Sequence, residues 1–321
     1  MVSHRSIIWI VVACLALTSC GSFSAELLTP ADPTQETPAP NISTAAETEA
    51  PQPIGSPTDA PDFVREIRNA QYQLGLPDSL QIVQLSDGKF EQGAAGSADF
   101  ISVFVTDFVA RGDLNGDDQE EVAALVSENY GGTGTFVFLV IYSEVDGNLV
   151  FQTSKLVDDR PQINLLLIED NEIFLDAITH GSEDPMCCPT LKTTRHFRFI
   201  DRQLDMIDYT TYTPDGRPRT ITITSPASGT ATYSSVQIKG EVAIAPFENN
   251  LVYRIYDVGS VELSSGAINV VAADLGAPGT FDTVIPIGNA LSGAVIRIEV
   301  QDVSAADGSL FAMDSVELVV Q

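Results

Sequence analysis

Basic residues are scarce in this chain. Sixteen Lys and Arg stand against 44 Asp and Glu in 321 residues, giving a formal net charge of −28 at pH 7. That balance argues against a nucleic-acid partner, whose phosphates are gripped by clustered Lys and Arg. It equally argues against adhesion to anionic lipid by charge. It suits a soluble, self-repelling surface, or one that gathers cations. Catalytic signatures are also missing. No Gly-x-Ser-x-Gly elbow occurs, so a serine hydrolase of that kind is not expected. Gly131-Gly132-Thr133-Gly134 lacks the Lys of a phosphate loop and stands between predicted strands instead of before a helix. There are only four cysteines. The apolar run Ile7–Leu17 is too short to cross a bilayer as a mature helix.

That short run follows Arg5 and ends in Leu17-Thr18-Ser19-Cys20. A charged start, a greasy middle and small residues before the cut describe a secretory signal. The stretch resembles the lipobox of a bacterial lipoprotein signal peptide. The resemblance implies that residues 1–19 are removed and that Cys20 becomes a lipidated N-terminus. It places the protein outside the cytoplasm, in the cell envelope, anchored to a membrane through that lipid. Each buried methylene contributes about 0.8 kcal/mol, so several acyl chains anchor almost permanently. A conventional signal, cut elsewhere, is the alternative.

Residues 20–61 hold no Lys or Arg and are rich in Pro, Thr, Ala and Glu. Such a segment cannot bury enough apolar surface to offset the entropy of ordering, so a disordered tether is expected. At about 3.1 Å per residue for extended proline-rich chain, it reaches on the order of 100 Å.

A first domain is expected over 62–212, with mainly β character. Phe63–Arg68 suits one short helix. Strands are predicted over 80–85, 100–110, 122–126, 135–142, 149–156, 163–168, 172–179, 193–200 and 204–212. Asp87-Gly88, Asp146-Gly147 and Asp170-Asn171 supply the turns. Thr213–Pro218 is turn chemistry without an apolar anchor, and marks a boundary.

The last segment, 219–321, gives seven strand candidates: 220–224, 236–242, 251–256, 261–271, 280–285, 295–300 and 313–320. Val236, Ile238 and Val242 alternate with Gln237, Lys239 and Glu241. Seven short alternating strands in this length predict a two-sheet sandwich of immunoglobulin type. The order Ile223-Thr224-Ser225-Pro226-Ala227-Ser228-Gly229, Ile238-Lys239-Gly240, Phe247–Ile255, Gly276–Phe281 and Ser304–Ser309 resembles the immunoglobulin-like domain of bacterial spore-germination proteins and many envelope lipoproteins. That resemblance implies a fold and a setting, and no catalytic residues.

Two constellations stand out. In Asp113-Leu114-Asn115-Gly116-Asp117-Asp118-Gln119-Glu120-Glu121, oxygens at alternate positions can converge on a hard cation. The candidate ligands are Asp113, Asn115, Asp117 and Glu121, and the candidate ion is calcium. The loop resembles calcium loops of propeller-type repeats and, in part, the helix-loop-helix calcium site, from which it departs in that Asp118 replaces the sharp-turn glycine and Ala124 offers no last carboxylate. A bare acidic hairpin is the alternative.

The second constellation is Asp184-Pro185-Met186-Cys187-Cys188-Pro189-Thr190. Outside the cytoplasm thiols oxidise, so Cys187 and Cys188 are expected to close a vicinal disulfide. Together with the acidic loop and the Tyr130–Gly134 hairpin, this segment resembles a widespread group of envelope lipoproteins of the LppP/LprE type, which brings no known activity. His180 and His196 are the histidines beyond the signal. A thiol enzyme or redox protein built on Cys187 or Cys188 with His180 is therefore the rival expectation. The favoured expectation is an α+β, mainly β first domain followed by an immunoglobulin-like sandwich. It is not an enzyme, and it has a binding or structural role towards an envelope protein or glycan.

Overall fold

The computed structural model describes residues 62–75 and 81–321. The signal peptide, Cys20 and the tether lie outside the described residues.

The first lobe opens with α1 (Asp62–Ile67), whose one buried residue is Ile67. β1 (Gln71–Gln73) and β2 (Ile82–Gln84) pair as a short ribbon. β3 (Lys89–Gln92), β4 (Ile101–Gly112), β5 (Glu121–Asn129), β6 (Phe136–Val145) and β7 (Asn148–Asp159) form a five-stranded antiparallel sheet in chain order. β8 (Gln162–Glu169), β9 (Glu172–Thr179), β10 (Leu191–Ile200) and β11 (Gln203–Tyr212) form a second antiparallel run.

β5 shows why the lobe is layered. Its side chains point alternately to the two faces, and both faces are buried. Val122, Ala124 and Val126 join the core that holds Ile67, Tyr72 and Leu85, beneath the helix and ribbon. Ala123 and Leu125 join the core that holds Leu175, Phe197 and Leu204, against the second run. A strand covered on both sides needs apolar residues at every position, not at alternate ones. The turns carry the left-handed backbone that tight hairpins require. Asp170 and Asn171 both have positive φ, at 52° and 63°, and Asp201 and Arg202 do so without glycine.

The second lobe holds β12 (Pro218–Arg219), β13 (Ile221–Ser225), β14 (Thr230–Thr232), β15 (Ser235–Val242), β16 (Asn250–Asp257), β17 (Glu262–Asn269), β18 (Val271–Ala272), β19 (Gly279–Pro286), β20 (Val295–Val303) and β21 (Leu310–Val320). One sheet runs β13-β15-β19-β18. The opposing sheet contains β17-β16-β20-β21, with β14 parallel to β21. Ile238, Leu251, Phe281, Ile298 and Leu318 fill the space between them. The immunoglobulin-like β-sandwich is thus present. The single strand expected over 261–271 is two. Val270 is buried in the core and its amide bonds to the Asn249 carbonyl at 2.8 Å, so the chain leaves one sheet and enters the other. Gly240 sits where the sheets close tightly. A Cβ there would lie 2.3 Å from both the Phe281 ring and the Thr222 carbonyl.

The two lobes share a sheet. β11 pairs antiparallel with β21, so the second run of the first lobe continues into the sandwich as one sheet of order β17-β16-β20-β21-β11-β10-β9-β8. Polar contacts thicken this join. Arg297 donates to the Met206 carbonyl at 3.1 Å and pairs with Asp205 at 3.4 Å and Glu299 at 2.8 Å. Arg198 pairs with Asp205 at 3.2 Å and with Glu317. Ser315 Oγ donates to the Ile207 carbonyl at 2.8 Å, and Thr211 Oγ1 to the Phe311 carbonyl at 2.6 Å. Arg297, Glu299 and Gln301 lie on the outer face of β20, yet each is buried.

Candidate functional site

A cleft of about 750 Å³ opens beside the join. His180 follows the end of β9, Lys192 stands on β10, Tyr209 and Tyr212 on β11, Arg219 on β12 and Phe311 on β21, and all line it. The shared sheet sets this placement. Lys192 is the second residue of β10, and the register that pairs Thr193 with Thr211 puts it across from Tyr212. Its ammonium lies 4.2 Å from the Tyr212 ring centroid. The Arg219 guanidinium lies 4.7 Å from the Phe311 ring. Cation–π contact of this kind holds a cation in place without neutralising it. Arg219 also reaches Asp302, at 3.9 Å. Glu183 and Asp184 line the same cleft, so its two cations are matched by two carboxylates, in a chain that is otherwise strongly acidic.

His180 is pinned. Its amide and its Nδ1 both meet Asp158 Oδ2, at 2.5 and 3.0 Å. Nε2 is buried with no hydrogen-bond partner among the described residues, as are single atoms of Tyr142, Arg195 and Arg297.

The loop after His180 carries the cysteines. Asp184 closes its base, since its carboxylate accepts from the amides of Gly181 at 2.9 Å and Thr190 at 2.7 Å and from the Thr190 hydroxyl at 2.7 Å. The Gly181 amide, then Thr190, hold this carboxyl below the usual aspartate range. Arg160, paired with Asp159 at 2.6 Å, donates to the Met186 carbonyl near the tip. Cys187 and Cys188 are bonded to each other and exposed. They are not among the residues that line the cleft.

Tyr130 lies away from the cleft. Its hydroxyl donates to Glu128, which is fully buried and also accepts from Tyr72 and, at 2.8 Å, from the Gly75 amide. Burial first, and then the Glu128 carboxylate, push the Tyr72 hydroxyl well above its ordinary value. Tyr72, Glu128 and the half-buried Tyr130 thus tie the ribbon to the hairpin between β5 and β6.

The acidic loop between β4 and β5 spends its oxygens on its own backbone. Asp113 Oδ1 accepts from the amides of Asn115 and Gly116, at 3.2 and 2.7 Å, and Oδ2 from Asp118 at 3.1 Å. Asn115 and Asp117 accept from Asp117 and Gln119, each two residues on, at 2.9 and 2.8 Å. Glu121 turns inwards, is 2% exposed, and accepts from the Leu114 amide at 3.0 Å, Asn115 Nδ2 at 3.2 Å and Ser143 Oγ at 3.3 Å. Among the described residues, no three His, Cys, Asp or Glu side chains are grouped so as to hold a metal ion. In this arrangement the residues expected to form a calcium cage face the amides of their own loop. They form a self-capped turn.

The sequence reading passed over Asp208 and Asp314. A signal was there. Asp314 falls in phase with Ala312, Val316, Leu318 and Val320, the core face of β21, and a carboxylate at a core position needs an explanation.

Comparison with known proteins bears on the second lobe. Residues 220–309 match the immunoglobulin-like domain of bacterial spore germination. The match covers less than half of the chain and leaves out the first lobe. No curated protein matches the chain.

Proposed function

We propose that this chain is an extracytoplasmic lipoprotein, held to a membrane by lipid on Cys20 after loss of residues 1–19 and carried on the 20–61 tether. Its first domain, 62–212, is of the LppP/LprE type, and the immunoglobulin-like domain, 219–321, completes a binding or structural unit. It is not an enzyme. Its partner is an envelope protein, peptidoglycan or another glycan, engaged at the cleft through Lys192, Arg219 and the aromatic rings beneath them. The observation that carries this reading is the cleft at the join, where Lys192 and Arg219 rest on aromatic rings in a chain of net charge −28.

One observation favours the rival, a thiol-dependent enzyme or redox protein: the unpartnered Nε2 of His180. Against it, both sulfurs are spent in one bond on an exposed loop. Immobilised full chain should retain peptidoglycan fragments or an envelope protein in a salt-sensitive manner, and Lys192→Ala with Arg219→Ala should release them. Retention that ignores salt and both substitutions, or turnover that needs a reduced Cys187, would overturn the proposal. Cys20→Ser should leave the membrane fraction and lose incorporated palmitate.

A further inference from the structure

The ladder between β11 and β21 consists of Asp208 with Asp314, Tyr209 with Met313, and Thr210 with Ala312. The two aspartates stand directly opposite each other. Residues so paired on adjacent antiparallel strands have Cβ atoms about 4.5–5.5 Å apart, and like charges there repel. Both side chains are half-buried, so water screens them poorly. Among the described residues, neither is ion-paired with a Lys, Arg or His.

The surroundings add no positive charge. Across β10, His196 is in register with Asp208. Its Nδ1 lies 3.6 Å from Glu172, on β9, and burial holds the imidazole below its ordinary value, against the pull of Asp176. On the other side, Val300 of β20 is in register with Asp314. From the facing sheet, among the described residues, the Ile223 amide donates to Asp314 Oδ2 at 2.6 Å, while the Ser315 amide donates to Oδ1 at 2.7 Å. Burial raises the Asp314 carboxyl, but these two amides oppose the rise, and among the described residues Asp208 accepts no such backbone donor, so of the facing pair Asp314 is the better placed to hold the charge. The proton therefore belongs on Asp208. Burial first, and then the charges of Asp314 and Glu172, push Asp208 up to about 7.

We propose that the seam between β11 and β21 is a proton-dependent latch, closed while Asp208 is protonated against ionised Asp314 and loosened when Asp208 gives its proton to solvent and two facing carboxylates are left. The latch stands independently of what the cleft binds. Its opening would reach the cleft all the same, since Tyr209 and Phe311 lie on the same two strands. A carboxyl with a raised folded value contributes stability fully below its unfolded value, near 4, and loses it as pH rises through the folded one. The window is thus from about 4 to about 7.

Thermal melting of the full chain and of Asp208→Asn, compared at matched pH, tests this. The variant should match the wild type at pH 3.5, pull ahead as pH rises through the window, and exceed it by roughly 5 °C at pH 8. Hydrogen exchange of the Tyr209 and Met313 amides should accelerate between pH 6 and 8, beyond the intrinsic rate, in the wild type alone. A melting difference flat across pH overturns the latch. Should the variant not fold, the Asp208 carboxyl carbon followed by NMR in the wild type decides. A midpoint between pH 6 and 8 supports the latch, and one near pH 4 ends it.

Discussion

The loop Asp113–Glu121 and the seam between β11 and β21 each gather carboxylates, one on the surface of the first lobe and the other where the two lobes join. In the loop, burial works against ionisation of Asp113, but the amides of Gly116, Asp118, Asn115 and Asp117 outweigh it and hold the carboxyl below its usual range. In the seam, amides reach Asp314 while Asp208 faces it in register, and both carboxyls are raised, by burial before all else. The residue type is the same and the shift is opposite. What differs is the supply of backbone donors. A turn exposes amides that have no strand partner, and a short side-chain acceptor one or two residues back can satisfy them. A strand in mid-sheet has already spent its amides on its neighbours, so a carboxylate added there must find water, a cation or a proton.

Glu121 is the member of the loop that breaks this contrast, because it is buried like the seam residues yet supplied with donors like Asp113. Burial raises its carboxyl, the Leu114 amide and Ser143 oppose that, and the charges of Asp117 and Asp113 add to the rise. Glu121→Ala should cost the most, because it leaves the buried Leu114 amide unpaired. A loss of about 2 kcal/mol, or roughly 4–8 °C, is expected in thermal unfolding. Glu121→Gln keeps an acceptor and should cost less than half of that. Equal losses in both variants would show that the charge matters and the acceptor does not.

A smaller effect is expected from Asp113→Ala, whose carboxylate is exposed to water. The folded value of Asp113 is lowered, so its contribution is present above the unfolded value near 4 and disappears as pH falls through the folded one. The variant should melt slightly below the wild type at pH 7, and the two should converge below pH 3. The seam variant Asp208→Asn should also diverge from the wild type as pH rises, but with the opposite sign, because there the variant becomes the more stable of the two. The smallest effect concerns calcium. With the loop oxygens already occupied by amides, melting in excess calcium and in excess chelator should agree within about 1 °C, since only preferential binding to the folded state moves the midpoint. A calcium-dependent rise would restore the cage and undo the contrast.

Much of the fold was legible. Strict alternation marked β15, and Asp170-Asn171 marked the hairpin between β8 and β9. β5 could be read as a covered strand because its apolar run has no polar side. Non-local pairing left no such trace. β14 lies parallel to β21, and β11 finds β21 about a hundred positions later. No periodicity within a window reports which distant edge a strand will join. The site divides in the same way. The cysteine loop and the acidic loop announce themselves as runs of residues. The cleft could not, because Lys192, Arg219 and Phe311 meet only through that distant pairing. Asp314 was visible in principle, as a charged residue in a core phase.

β21 comes last along the sequence, yet it lies in mid-sheet, flanked by β20 and β11. During synthesis or export from the N-terminal side, the first lobe can assemble its layers while β11 still presents a naked row of amides and carbonyls. Such a row invites any passing strand. Only when the eleven residues of β21 arrive is that row sealed and the sandwich completed, in one stroke. A premature stop before Leu310 would thus leave two sticky halves instead of one shortened protein.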